Sequence, residues 1–311
     1  MNLSFRQLRV FLEVAQRGGV TAAAQTLHLT PPAVSMQIKE LENQVGLPLF
    51  NRQGRTMTLS TAGEYFVVHA KRMLGALRDA DNAMARFKKL EHGHLTVGMV
   101  STAKYFVPRL LGQFRQDHPG IDVRLTVANN REGLVRQMEA GEVDLSIMGR
   151  PPPELSARSE PFAAHPLVFV CPPGHPLMAI GHPPLKSLAP YPFIVREQGS
   201  GTRDVMERFF NDRGFEPQIT MEMSSNEAIK QAVMAGMGIS FLSLHTMGLE
   251  LSLGLLMRVD VEDTPVMRTW HVVHLQSKVL SPAAEAFRYF VIERGEPLLI
   301  EHDTPLLGPR V

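Results

Sequence analysis

The stretch from Val20 to Val45, VTAAAQTLHLTPPAVSMQIKELENQV, constrains this chain more than any other. It predicts two helices joined by a tight turn. Thr21 is placed to cap AAAQTL, its hydroxyl accepting from a free backbone N–H. His28 and Leu29 make the turn. Thr30 caps the second helix, with Pro31 at its first position, where a missing N–H costs nothing. Val34, Ile38, Leu41 and Val45 then recur at spacings of four, three and four, a single buried stripe. Pro32, Ser35, Met36, Lys39 and Asn43 fall on the opposite face, with Gln37 beside them. A short helix, a tight turn and a second helix with a small, polar, basic outer face is the helix-turn-helix pattern, whose second helix enters the DNA major groove. The alternative is an ordinary helical hairpin with a solvated face.

The flanking sequence favours the first reading. Leu8, Phe11, Leu12 and Ala15 mark an amphipathic helix ended by Gly18-Gly19, which supplies a third wall. After Gly46, Leu49–Arg52 and Thr56–Leu59 flank Gln53-Gly54-Arg55, a strand–turn–strand with the look of a wing. Arg52 and Arg55 at its tip suit phosphate contact. Residues 1–91 hold twelve Lys/Arg against seven Asp/Glu, a net +5, in a chain that is +1 overall. A basic head on an acidic body suits a polyanion partner at the head alone.

At this point the sequence resembles the LysR-type transcriptional regulators, through AAAQTLHLTPPAVSMQIKELENQVGLPLFNRQGRTMTLSTAG, Ala22 to Gly63. The resemblance implies that Thr21, Thr30, Pro31, Pro32, Ser35, Met36, Gln37, Lys39, Arg52 and Arg55 face double-stranded DNA. The family usually has Gln where this chain has Pro31, so that contact differs here.

Thr61 and Glu64 stand three apart ahead of an apolar run, as in a capping box. Phe66, Ala70, Met73, Leu77, Ala80, Met84 and Phe87 follow at alternating spacings of four and three, a heptad seam. Such a seam favours self-association of two chains over packing within one. The resemblance implies the same: a linker-helix pair in a homodimer, a homotetramer built from it, and RNA polymerase as a further partner.

No apolar run approaches the ~18 residues of a membrane span, and MNLSFRQLRVF lacks the shape of a signal peptide. With Cys171 as the single cysteine, the expectation is a cytoplasmic protein without disulfides, Cys171 being a buried structural thiol. The expected organisation is a winged helix-turn-helix over residues 1–60, a linker helix over 61–91, a two-lobed α/β body over 92–297 and a loosely ordered tail over 298–311. The body begins with a βαβαβ run. It then partly repeats, about a hundred residues on: VSTAKYFVPRLLGQFRQDHPGIDVRL pairs with VREQGSGTRDVMERFFNDRGFEPQITM, and NNREGLVRQMEAGEVDLSIM with SSNEAIKQAVMAGMGISFLS. Two similar lobes with two crossovers is the periplasmic-binding-protein architecture. Lobe I is expected over 92–162 and 267–297, and lobe II over 163–266.

Four polar clusters each follow a strand and open a helix: Ser101-Thr102, Asn129-Asn130, Gly199-Ser200-Gly201-Thr202 and Ser224-Ser225-Asn226. In an open α/β lobe the crevice lies outside the carboxyl ends of the strands, so all four should line one cleft. Free N–H groups there favour an anion, and Arg150 and Arg203 can add charge-assisted bonds. The alternative is that each cluster is only a helix cap. Enzyme signals fail. GSGTR lacks the spacing of a phosphate-binding loop with its lysine, and no nucleophile elbow occurs. His271 and His274 point to opposite faces of a strand. His165, His175 and His182 sit among prolines in loops, without carboxylate or cysteine partners at metal spacing. No catalytic residue, metal or cofactor is therefore expected.

A narrower resemblance covers most of the body. STAKYFVPRLL, LSIMGRPPPEL, SEPFAAHPLVFV, GSGTR, SSNEAIKQAVMAGMGISFLSLHTMGLEL and Trp270 in RTWHVVH look like the LysR-type subgroup regulating Calvin-cycle (RuBisCO) operons. It implies activation of carbon-fixation genes, tuned by a small anionic effector such as a sugar phosphate (ribulose bisphosphate), phosphoenolpyruvate or NADPH. A rival from another class is a small-molecule-binding enzyme or carrier whose head serves only for assembly.

Overall fold

The computed structural model describes residues 3–53, 56–85 and 93–307. They divide into two compact units, one holding the N-terminal part of the chain up to Asp81 together with Glu139–Glu142, the other holding the rest.

In the N-terminal unit, α1 (Phe5–Arg17) opens with a reciprocal cap. Gln7 N donates to Ser4 Oγ at 3.2 Å, and Ser4 N to Gln7 Oε1 at 2.9 Å. It stops at Gly18, φ +69°. Helix α2 (Val20–Thr26) begins earlier than the sequence suggests. Gly19 occupies the cap position without a side-chain bond, and Thr21 lies exposed inside the first turn. The reversal at Gly18-Gly19 delivers the chain directly into the helix, so the Thr21 hydroxyl has no amide to cap. His28 makes the next turn at φ +53°. Helix α3 (Pro31–Val45) is capped by Thr30, whose Oγ1 accepts from Ala33 N at 3.4 Å. Val34, Ile38 and Leu41 are fully buried against α1, while Val45 is half-buried. Strands β1 (Phe50–Gln53) and β2 (Thr56–Leu59) pair antiparallel, Phe50 opposite Leu59. Arg55 and the side chain of Arg52 lie outside the described residues.

Helix α4 (Thr61–Ala85) is capped by Ser60 rather than Thr61. Ser60 Oγ accepts from Gly63 N at 3.0 Å and donates to the Pro48 carbonyl at 2.7 Å. The end of β2 fixes Ser60 there, one residue ahead of the expected box. Gly63 packs so tightly that a Cβ would sit 2.1 Å from the Leu49 carbonyl oxygen. The heptad seam divides. Phe66 stacks edge-on against Phe11, centroids 5.2 Å apart, and Ala70 is fully buried in the core of its own head. Met73, in contrast, is exposed and Leu77 half-buried. The side chains of Met84 and Phe87 lie outside the described residues.

The second unit runs β3 (Gly93–Val100), α5 (Val107–Asp117), β4 (Ile121–Ala128), α6 (Arg131–Glu139), β5 (Leu145–Met148) and β6 (Ala157–Cys171). It continues through β7 (Pro192–Arg196), α7 (Gly201–Asn211), β8 (Gln218–Met223), α8 (Asn226–Met234), β9 (Ser240–Ser243), α9 (Gly248–Ser252), β10 (Met257–Val259), β11 (Val266–Leu275) and α10 (Pro282–Leu307). In the first lobe β3 lies between β4 and β5, parallel to both. In the second, β7 and β8 pair in parallel, and Phe193 of β7 bridges to Ile239 just before β9. The long strands β6 and β11 pair antiparallel and join the lobes, β6 going on to pair with β9 and β10. Separate cores fill the lobes, one around Phe114, Phe287 and Trp270, another around Phe169, Phe193 and Phe210.

Three expectations need correction. The loosely ordered tail does not begin at residue 298: α10 carries on to Leu307, because Leu299 is buried in the first-lobe core with Leu298 packed against it, and that burial outweighs the cost of a proline inside a helix. His165 is not in a loop but in β6. His182 does have a carboxylate beside it, Asp260 at 3.1 Å. Cys171 is buried, which pushes its thiol up to about 11. No helix among the described residues is long and apolar enough to cross a membrane.

Candidate functional site

Between the two lobes of the second unit lies a cavity of about 50 Å³. Strand ends build it, as the crevice rule requires. The first lobe supplies Ser101 and Thr102 after β3, Asn129, Asn130 and Arg131 after β4, and Gly149 and Arg150 after β5. The second lobe supplies Arg196 at the end of β7 and Ser200, Gly201, Thr202 and Val205 from the start of α7. The crossover strands add His165 and Leu167 from β6, and Arg268 and Trp270 from β11.

Three of the four polar clusters thus meet, though not in equivalent ways. Ser101 and Thr102 open a short 3-10 turn (Ser101–Tyr105) rather than an α-helix, and Ser101 Oγ donates to the Asn129 carbonyl at 3.0 Å. Asn130 caps α6, its Oδ1 accepting from Gly133 N at 2.9 Å. At α7 the cap residue Ser200 makes no side-chain bond to the first-turn amides, which leaves them free for a ligand. Gly199 makes the preceding turn at φ +78° and is not itself part of the lining; a Cβ there would meet the Glu132 carboxylate at 3.3 Å. The fourth cluster stands behind the cavity. Ser225 caps α8 by accepting from Ala228 N, and Asn226 Oδ1 accepts from Arg196 Nη1 at 2.9 Å. Ser224 is not in the lining either.

Arg203 points elsewhere. Its Nη1 donates to the Arg196 carbonyl at 3.2 Å and its Nε to Glu207. Successive helical residues lie about 100° apart, so with Thr202 and Val205 on the cavity side Arg203 is turned away. The arginines that do line the cavity are Arg131, Arg150, Arg196 and Arg268. Arg131 pairs with Asp204 at 2.8 Å. Arg196, 3% exposed, pairs with Glu197 and reaches across the cleft to Asn129 O and Ser101 Oγ at 3.3 and 3.4 Å. Neither Arg150 nor Arg268 has a carboxylate partner among the described residues, and no Asp or Glu is in the lining. Burial, with Arg208, Arg131 and Arg150 nearby, holds Arg268 below its ordinary value. A cavity with this balance attracts an anion.

Sequence reasoning missed Arg131, Arg196, Arg268, His165 and Trp270. His165 Nε2 lies 3.0 Å from Ser243 Oγ. This is no nucleophile pair: Ser243 is outside the lining, and no carboxylate orients the ring.

On the head, α3 presents Pro31, Pro32, Ser35, Met36 and Lys39 to solvent, with Gln37 half-buried. Met36 is 62% exposed, unusual for a thioether with a core available beside it. Thr30 is exposed while its hydroxyl serves the cap.

Among known families, residues 5–64 match the bacterial regulatory helix-turn-helix protein, lysR family, and residues 88–296 match the LysR substrate binding domain. The HTH-type transcriptional regulator CfxR of Cupriavidus necator is 49% identical over 96% of this chain and 93% of its own length. The RuBisCO operon transcriptional regulator of Allochromatium vinosum is 46% identical over 95% of this chain and 97% of its own. Among solved structures, the Synechocystis PCC6803 CcmR regulatory domain in complex with 2-PG is 40% identical, with a TM-score of 0.62 over 65% of this chain and 97% of that one. An exposed, capped second helix on a three-helix head, followed by a two-lobed ligand-binding body, therefore has its counterpart in sequence from end to end: the chain belongs to the LysR family of transcriptional regulators.

Proposed function

We propose that this regulator controls carbon-fixation genes of the Calvin cycle in the cytoplasm, and that it answers to a small phosphorylated anion held between the lobes. The observation that carries the effector reading is the cavity itself: four arginines, the free first-turn amides of α7 and no carboxylate in the lining. The relatives named for the RuBisCO operon and the neighbour bound to 2-PG support the same reading. The candidates are 2-PG, phosphoenolpyruvate, ribulose bisphosphate and NADPH, which differ in size and in the number of anionic groups they would set against the four arginines. Ser101, Thr102, Asn129, Asn130, Arg150, Ser200 and Thr202 are the expected contacts, joined by Arg196 and Arg268.

On the head, Ser35, Met36 and Lys39 are proposed to read bases, with Arg52 and Arg55 on phosphates. Exposed Met73 and half-buried Leu77 are proposed to pair α4 with its copy in a dimer, two of which make the tetramer that meets RNA polymerase. Calorimetry with 2-PG, phosphoenolpyruvate, ribulose bisphosphate and NADPH, alongside operator binding with and without each, tests the proposal. Thr202→Val keeps the shape and removes one hydrogen bond, and should cost about 1–2 kcal/mol of effector affinity. Failure of all four compounds to bind would refute the effector reading.

A further inference from the structure

Two residues that line the cavity each carry a buried ring nitrogen with no hydrogen-bond partner among the described residues. His165 of β6 and Trp270 of β11 stack face to face, centroids 3.9 Å apart and planes 14° apart. They are 7% and 1% exposed. His165 engages Ser243 Oγ through Nε2, which leaves Nδ1 buried with no hydrogen-bond partner among the described residues; Trp270 Nε1 is in the same position. An indole N–H can only donate. Buried donors are nearly always bonded, and an exception calls for an absent partner.

These two groups differ from the arginines around them. Burial, with His245 and Arg268 beside it, holds His165 well below the ordinary histidine range, so its ring is neutral at neutral pH. The indole is neutral at any pH. The cavity therefore offers two kinds of donor: guanidinium groups, matched to an oxyanion such as phosphate, and a neutral pair matched to a further acceptor.

We propose that Trp270 Nε1 and His165 Nδ1 together bind a second acceptor group of the effector, so that the cavity selects small acids carrying a carboxylate as well as a phosphate over phosphate alone. In this arrangement the Ser243 hydroxyl donates to Nε2 and keeps the imidazole proton on Nδ1. The stacking holds the indole and imidazole together, and Phe106, edge-on to Trp270 at 5.0 Å, supports them. The proposal rests on the effector reading above and narrows it to a ligand class.

The test uses the full-length protein with phosphoenolpyruvate and inorganic phosphate as probes. Trp270→Phe and His165→Phe keep a ring in the stack and remove a nitrogen. Ser243→Ala leaves the lining intact and frees the tautomer. Calorimetry should show phosphoenolpyruvate binding weakened about tenfold by each ring variant and a few-fold by Ser243→Ala, roughly the value of one hydrogen bond. Inorganic phosphate binding should change less than about twofold. Circular dichroism checks the fold of each variant. Because Trp270 is the only tryptophan, its emission reports binding independently in the His165 and Ser243 variants. Unchanged phosphoenolpyruvate affinity in folded variants overturns the donor pair and leaves the effector reading standing. Equal losses for both probes overturn it too, since the rings would then act through shape alone. Failure of the parent protein to bind phosphoenolpyruvate overturns the ligand class, and the four-compound comparison then decides the effector reading by itself.

Discussion

Arg196→Met is the most informative single change. The thioether preserves most of the packing of the arginine stem and removes the guanidinium. That group pairs with Glu197 through Nε at 2.7 Å and Nη2 at 2.9 Å, bonds Asn226 Oδ1 at 2.9 Å, and crosses the cleft to Asn129 and Ser101. Breaking a buried ion pair from one side costs about 3–5 kcal/mol. Glu197 keeps 16% of its side-chain surface in water, so the low end, about 3 kcal/mol, applies. At about 2 kcal/mol per molar urea the unfolding midpoint should fall by about 1.5 M. Emission from Trp270, the only tryptophan, follows the second unit, and unfolding of the head adds no signal of its own. Effector affinity should fall by about 1.5–3 kcal/mol, the worth of one charged contact, and calorimetry reads it directly. A midpoint shift below about 0.5 M, or unchanged effector binding, would refute the assignment of Arg196 as both clasp and ligand contact.

Gly63→Ala should destabilise the head by at least about 1–3 kcal/mol, since the new methyl meets the Leu49 carbonyl rather than a movable side chain; thermal melts by circular dichroism and loss of operator affinity check it. Leu77→Asp should reduce the sedimenting mass and lower operator affinity without touching a DNA contact, and a variant of native mass would show that α4 pairs with nothing. Glu160→Gln addresses pH. Burial raises the Glu160 pKa, but bonds to Arg288 and Arg158 outweigh it and leave the group below its ordinary value. A depressed folded value means that the contribution of the pair is complete above the unfolded pKa and is lost as pH falls through the folded one. The parent should therefore lose stability below about pH 4.3 more steeply than Glu160→Gln; parallel urea midpoints in acid would contradict this.

Periodicity made the head and the strand–helix alternation legible. The stripe Val34, Ile38, Leu41 answers to one partner surface, so spacing alone found it. The internal repeat likewise announced two lobes. Caps were less legible: Thr21 and Thr61 have the right chemistry, but the preceding turn and strand decide where a helix begins, and Gly19 and Ser60 stand at those points. In the cavity, small polar residues after strands were found because loops display them. Arg268 and Trp270 were missed because they lie within a long strand, where alternation gives two faces without saying which meets the cleft, and His165 because the prolines around it read as a loop. Whether such a face meets water or a second lobe depends on the crossing of β6 and β11, a long-range fact. Arg196 did carry a signal, a charge closing the apolar run Phe193-Ile194-Val195 just ahead of a Ser-Gly cluster. Arg203 misled because it stands next to Thr202, and one step along a helix is enough to face another way.

The junction at Ser60 has a mechanical consequence. One hydroxyl ties the Pro48 carbonyl to the first amides of α4, Gly63 abuts Leu49, and Phe66 and Ala70 belong to the core of the head. The reading head thus has no elbow of its own: for its first ten residues α4 is part of the head. The helix counts 25 residues, about 37 Å at 1.5 Å each. A change in the direction of α4 near the head therefore carries the head with it, without deforming the core built around Phe11 and Phe66.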